Sequence, residues 1–86
     1  MIDVIYTHAF VRRFKKLERQ ITNEALKKIN LFKDPDNHQN LKVHKLHGEM
    51  NDSFSFSVNH KIRIIFRYIN NNEVVLTAID DHTVYK

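Results

Sequence analysis

Eighty-six residues suffice for one domain and not for two, so any chemistry must sit on the surface of a single small core. Fourteen Lys and Arg against ten Asp and Glu leave a net charge of +4, with six His titrating nearby, a balance that suits a polyanionic partner. The lack of cysteine excludes disulfides and thiolate metal sites, and no apolar stretch approaches the roughly 20 residues of a membrane span, so a cytoplasmic protein without a cofactor is expected.

In chain order, Ile2, Val4, Ile5 and Tyr6 form a nearly continuous β-branched and aromatic run that reads as a buried strand. Thr7 is placed to cap a following helix. Phe10, Phe14, Leu17 and Ile21 recur at helical spacing and line one face of a helix expected near residues 8 to 19. Its other faces carry Arg12, Arg13, Lys15, Lys16 and Arg19.

Thr22 resembles a second helix start, and Leu26, Ile29 and Phe32 continue a core-facing stripe to about Lys33. Asp34, Pro35, Asp36 and Asn37 end it, because proline cannot continue the hydrogen-bond ladder. Residues 38 to 52 show no sustained period and contain Gly48, the one glycine of the chain. Beyond this loop three strand-like runs follow, separated by Asn59 and His60 and then by Asn70, Asn71 and Asn72. The expected fold is a single α+β domain over residues 1 to 86: strand, two-helix hairpin, then a three-strand antiparallel meander under the helices.

Period two assigns Phe54, Phe56 and Val58 to one side of the sheet, opposite Ser53, Ser55 and Ser57. In the next strand Ile62, Ile64, Phe66 and Tyr68 oppose Lys61, Arg63, Ile65 and Arg67. If the apolar sides pack under the helices, the reverse face becomes a basic, hydroxyl-rich surface, with Thr77 able to join it. Arginine offers a planar fork matching phosphate oxygens, so such a surface suits an RNA backbone, although a wet antiparallel sheet carries these residue types without any ligand.

His44 and His47 flank Lys45 in the loop, beside Lys42; His60 lies in a turn and His82 near the terminus. Their spacing matches no metal array, so no metal is expected; solvated loop histidines and acid or base groups are the two readings left open. Tyr85 either packs on the sheet edge or stacks a base and handles a proton beside His82.

The stretches KLHGEMNDSFSFSV, HKIRIIFRY and VVLTAIDDHTVYK, taken with the order of elements, resemble the RelE/StbE branch of the RelE/ParE toxins. The resemblance spans essentially the whole chain. It implies a type II toxin neutralised by a cognate antitoxin, with ribosome-dependent cleavage of mRNA through attack of a 2′-hydroxyl on the adjacent phosphate. It assigns Arg63 to the scissile phosphate, His82 to proton transfer as in YafQ-like members, and Tyr85 to a functional tyrosine. His47 then becomes a further catalytic acid or base from the loop, and Lys42, His44 and Lys45 loop groups that bind the RNA, joined by His60, Lys61, Arg67 and the helix cations Arg12, Arg13, Lys15 and Lys16. One departure stands out: where RelE carries two alternating lysines, this chain has Phe54 and Phe56. The alternatives are a gyrase inhibitor of the ParE kind and a degenerate homologue that only binds its antitoxin.

Overall fold

The computed structural model describes residues 1–48 and 52–81. Its elements are β1 (Asp3–Tyr6), α1 (His8–Lys15), α2 (Arg19–Phe32), a 3-10 turn (Pro35–Asn37), β2 (His44–Lys45), β3 (Phe54–Ser57), β4 (Ile62–Asn70) and β5 (Glu73–Asp81). The expected α+β class is the observed one. The sheet is larger than the meander, however: five strands in the order β1-β5-β4-β3-β2. β1 returns to lie parallel to β5, with Val4 beside Val74 and Tyr6 beside Leu76. β2 is a two-residue strand inside the segment read as loop, pairing His44 with Ser55 and Lys45 with Phe54.

Thr7 caps α1 as its residue type suggests. Its hydroxyl oxygen accepts from the Phe10 amide at 3.1 Å and donates to the Leu76 carbonyl at 2.8 Å, tying the helix start to β5. α1 ends at Lys15, four residues earlier than expected, and α2 starts at Arg19 rather than at Thr22. Phe14 and Leu17 both pack on the core. One apolar stripe thus runs through the corner between two helices, and periodicity cannot see a break that leaves the stripe intact. Two further corrections concern exposure: Leu26 is 51% exposed on α2, and in β1 Ile5 and Tyr6 are 43% and 45% exposed. β1 occupies a sheet edge, and only Ile2 of that run is fully buried.

The core lies between the helices and one face of the sheet. Phe32 is stacked between His38 (4.6 Å, 10°) and Phe56 (4.4 Å, 10°), and meets Phe66 edge-on at 4.8 Å. The His38 Nε2 also bonds the Phe32 carbonyl at 2.8 Å, so this histidine is a structural one. Such ring pairs stabilise by about 0.5–1.5 kcal/mol each beyond their area burial. Ile64, Phe66, Val74, Leu76 and Ile79 complete this side, all at 1% exposure or less.

Candidate active site on the outer face of the sheet

β4 alternates as its pattern predicts, Ile64 and Phe66 facing the helices while Arg63, Ile65 and Arg67 face away. Residues directly opposite in an antiparallel ladder share a face. The register therefore builds three rows on the outer side. The first holds Ser57, Arg63 and Asp80; the second His44, Ser55, Ile65 and Ala78; the third Arg67 and Val75. Between the second and third rows β5 carries a bulge at Thr77, whose hydroxyl donates to the Ile65 carbonyl at 3.2 Å.

This face is not the uniformly wet surface expected. Ser55 and Ile65 are fully buried, and Ser53 and Leu46 nearly so, although Ile65 and Leu46 take no part in the helix-side core. Among the described residues, two polar atoms here are buried without a hydrogen-bond partner, the Ser55 Oγ and the Arg63 Nη1. They lie on adjacent strands, one row apart. Leaving a buried donor unsatisfied costs about 1–3 kcal/mol, more when it is charged, so each of these groups calls for an explanation.

The turn carrying β3 into β4 is built by Asn59. Its Oδ1 accepts from the backbone amides of Lys61 and Ile62, each at 2.8 Å, and the Ser57 hydroxyl donates to the Asn59 carbonyl at 2.8 Å. This Asx turn fixes the first residues of β4 and hence Arg63. Exposed His60 and Lys61 stand in the same turn, at the same end of the sheet.

α1 lies against β5 beyond the point where β1 ends. Arg13 on α1 forms an ion pair with Asp80 Oδ2, while Asp80 Oδ1 accepts from the Asp81 amide at 3.2 Å. Arg13 is thus an engaged cation rather than a free one, whereas Arg12, Lys15 and Lys16 stand exposed around it. The pair brings the basic helix to the end of the sheet that carries Arg63.

His44 bonds the Lys42 carbonyl through Nδ1 at 2.9 Å. A carbonyl only accepts, so Nδ1 bears the hydrogen, and the neutral ring keeps Nε2 as its lone-pair nitrogen. Lys42 itself is exposed, with φ of 58°, a left-handed conformation that few non-glycine residues adopt. Lys45 is exposed on the edge strand.

Other expected site residues are not brought to Arg63. Arg67 lies about 13 Å farther along β4. His47 follows Leu46, whose amide bonds the Ser53 carbonyl just before Phe54, the partner of Phe66, so it belongs to the far end of the face. Phe54 and Phe56 occupy helix-side positions, Phe56 stacked on Phe32, so neither stands where a cation would meet RNA; the outward residues of β3 are Ser55 and Ser57. His82 and Tyr85 lie outside the described residues. Asp80 is the residue that sequence reasoning overlooked as part of a site, whereas Ser55 was expected on this face and only its burial was not. An Asp near a strand end carries no local signal; only the cross-strand register singles it out.

Residues 6–82 match the family model of the HigB-like toxin, described as the RelE-like toxin of the type II toxin-antitoxin system HigB. No curated protein matches the chain. Among solved structures, the toxin-antitoxin complex RelBE2 from Mycobacterium tuberculosis superposes with a TM-score of 0.73 at 20% identity, over 93% of this chain and 96% of that one. YafQ from E. coli strain BL21(DE3) gives 0.74 at 13% identity, over 98% and 97%. The archaeal RelE-RelB complex from Pyrococcus horikoshii OT3 gives 0.70 at 14% identity, over 93% of each chain. These likenesses establish the fold.

Proposed function

The chain belongs to the HigB-like family of RelE-like toxins of type II toxin-antitoxin systems, and from that premise we propose that it is an endoribonuclease that cleaves mRNA at the ribosome and is silenced by a cognate antitoxin. The observation that carries this reading is the guanidinium of Arg63, turned to the outer face with its Nη1 buried and unpartnered among the described residues. A cation whose donor is not already taken is what a phosphate in transition needs, since it is free to stabilise the developing charge.

In the reaction, the 2′-hydroxyl of one nucleotide loses its proton to a base, its oxygen bonds to the adjacent phosphorus, and the bond from phosphorus to the leaving 5′-oxygen breaks as an acid protonates that oxygen. Arg63 holds the charge of the five-coordinate intermediate. His82 serves as acid or base, with Tyr85 positioning a base of the RNA. His44, whose Nδ1 is engaged with the Lys42 carbonyl, presents Nε2 to the RNA. Arg12, Lys15, Lys16, Lys42, Lys45, His60, Lys61 and Arg67 meet the RNA backbone, an attraction that weakens as salt rises. An antitoxin partner is supported by the toxin-antitoxin complexes among the structural neighbours in M. tuberculosis and P. horikoshii.

The test is to induce the chain alone, beside Arg63→Ala and His82→Ala variants, and to map mRNA 5′ ends. New ends within translated frames are expected for the unmodified chain, and their loss in Arg63→Ala. Equal cutting by all three overturns the site. A DNA-damage response without mRNA cuts points instead to gyrase, and harmless expression to a chain that only binds its antitoxin.

A further inference from the structure

Asp80 faces Arg63 directly across the β4–β5 ladder, at a separation of about 5 Å between Cβ atoms for such cross-strand pairs. An aspartate opposite a buried, unpartnered guanidinium nitrogen is the obvious counter-ion for it. Yet both Asp80 oxygens are used elsewhere: Oδ2 by Arg13 of α1 and Oδ1 by the Asp81 amide. Arg63 Nη1 has no partner among the described residues.

We infer that Arg13 is a positioning residue: by holding Asp80 it keeps the Arg63 guanidinium uncompensated, and so able to take a phosphate group. The inference rests on the reading of Arg63 as the phosphate-binding residue and adds what keeps it vacant. Beside Lys61 and Asp81, which lie at the same end of the sheet, two guanidinium groups and the Asp80 carboxylate meet, and these three by themselves carry one positive charge in excess. How the carboxylate divides itself decides whether that charge is displayed at Arg63 or at Arg13. The helix residue wins the carboxylate because α1 lies against the stretch of β5 past Tyr6, where β1 no longer intervenes. The pair is partly open to solvent, with side-chain exposures of 52% for Arg13 and 30% for Asp80, so Asp80 can change partners without unfolding anything. Without Arg13, Asp80 turns to Arg63 and neutralises it.

The role differs from that of a cation that touches RNA itself, and a double-mutant cycle separates the two. The side-chain Nε–H resonance of Arg63 is followed by NMR while inorganic phosphate is titrated into the purified full-length chain and its variants. In the unmodified chain the resonance shifts on phosphate binding. Arg13→Ala weakens that binding by about fivefold, the size of a partly exposed ion pair, whereas Arg13→Lys, which still holds Asp80, leaves it near the original value. In an Asp80→Asn background Arg13→Ala has no further effect, because there is no longer a carboxylate to release. Arg12→Ala, the loss of a neighbouring exposed cation, changes binding by the same factor in both backgrounds.

If Arg13→Ala costs the same factor in the Asp80→Asn background as in the unmodified one, Arg13 acts through its own charge and the inference is overturned. If the Arg63 resonance ignores phosphate in the unmodified chain, it is overturned as well. The titration needs neither ribosome nor cleavage, so these failures are distinguishable from failure of the endoribonuclease reading, which the mapped mRNA ends decide.

Discussion

The two faces of the sheet differ in how completely they satisfy themselves. Under the helices, Phe32, Phe56, Phe66 and the half-buried His38 pack ring on ring, and the buried side chains there are apolar. On the outer face, one buried hydroxyl and one buried guanidinium nitrogen lack partners among the described residues. The helix face supplies the stability that lets the outer face remain incomplete, which is how a chain of this size supports a binding site at all.

The largest effect that could break this comparison comes from the core. Phe32→Ala should destabilise the fold by about 3–5 kcal/mol, since it removes the central ring of the stack. Urea titration of the purified chain measures this; a loss below about 1 kcal/mol would mean that the stack does not hold the core together.

Next is Arg63→Met, which keeps an apolar stem and removes the charge. Cleavage should drop by about 10²-fold or more, while the midpoint of urea unfolding stays level or rises because a buried unpaired donor has gone. A parallel fall in stability and cleavage would show that Arg63 is a structural residue.

Asn59→Ala should cost about 1–2 kcal/mol, two amides losing their acceptor. Cleavage should fall with it, because the turn sets the first residues of β4; unchanged cleavage would separate the turn from the site. Ser55→Ala sharpens the contrast from the other side. An unpartnered hydroxyl contributes little to the folded state, so its removal should shift stability by less than about 1 kcal/mol, in the stabilising direction. A clear destabilisation would reveal a bond to that hydroxyl.

The smallest effect concerns Tyr68, whose phenol is held above its ordinary pKa by desolvation on burial. Its neutral form is favoured by the fold, so the contribution is complete below the ordinary phenol range and fades as pH rises through the raised value. Tyr68→Phe should therefore flatten the alkaline end of the stability profile. An identical alkaline decline in both proteins would assign that decline to other groups.

Local pattern was enough to reveal the α+β class, the Thr7 cap, the turn at Asn59 and the outward direction of Arg63. Each depends on a period of two or 3.6, or on one residue's hydrogen-bonding habit within a few positions of itself. The break between α1 and α2 escaped because Phe14 and Leu17 keep one stripe across it. The return of β1 to β5, the burial of Ser55 and Ile65, and the triangle of Arg13, Asp80 and Arg63 escaped for another reason. Alternation tells which way a side chain points and says nothing of which strand or helix comes to lie beside it. That neighbour is chosen by closing the whole chain around its core, and it joins positions 13, 63 and 80, which nothing in their local sequence connects.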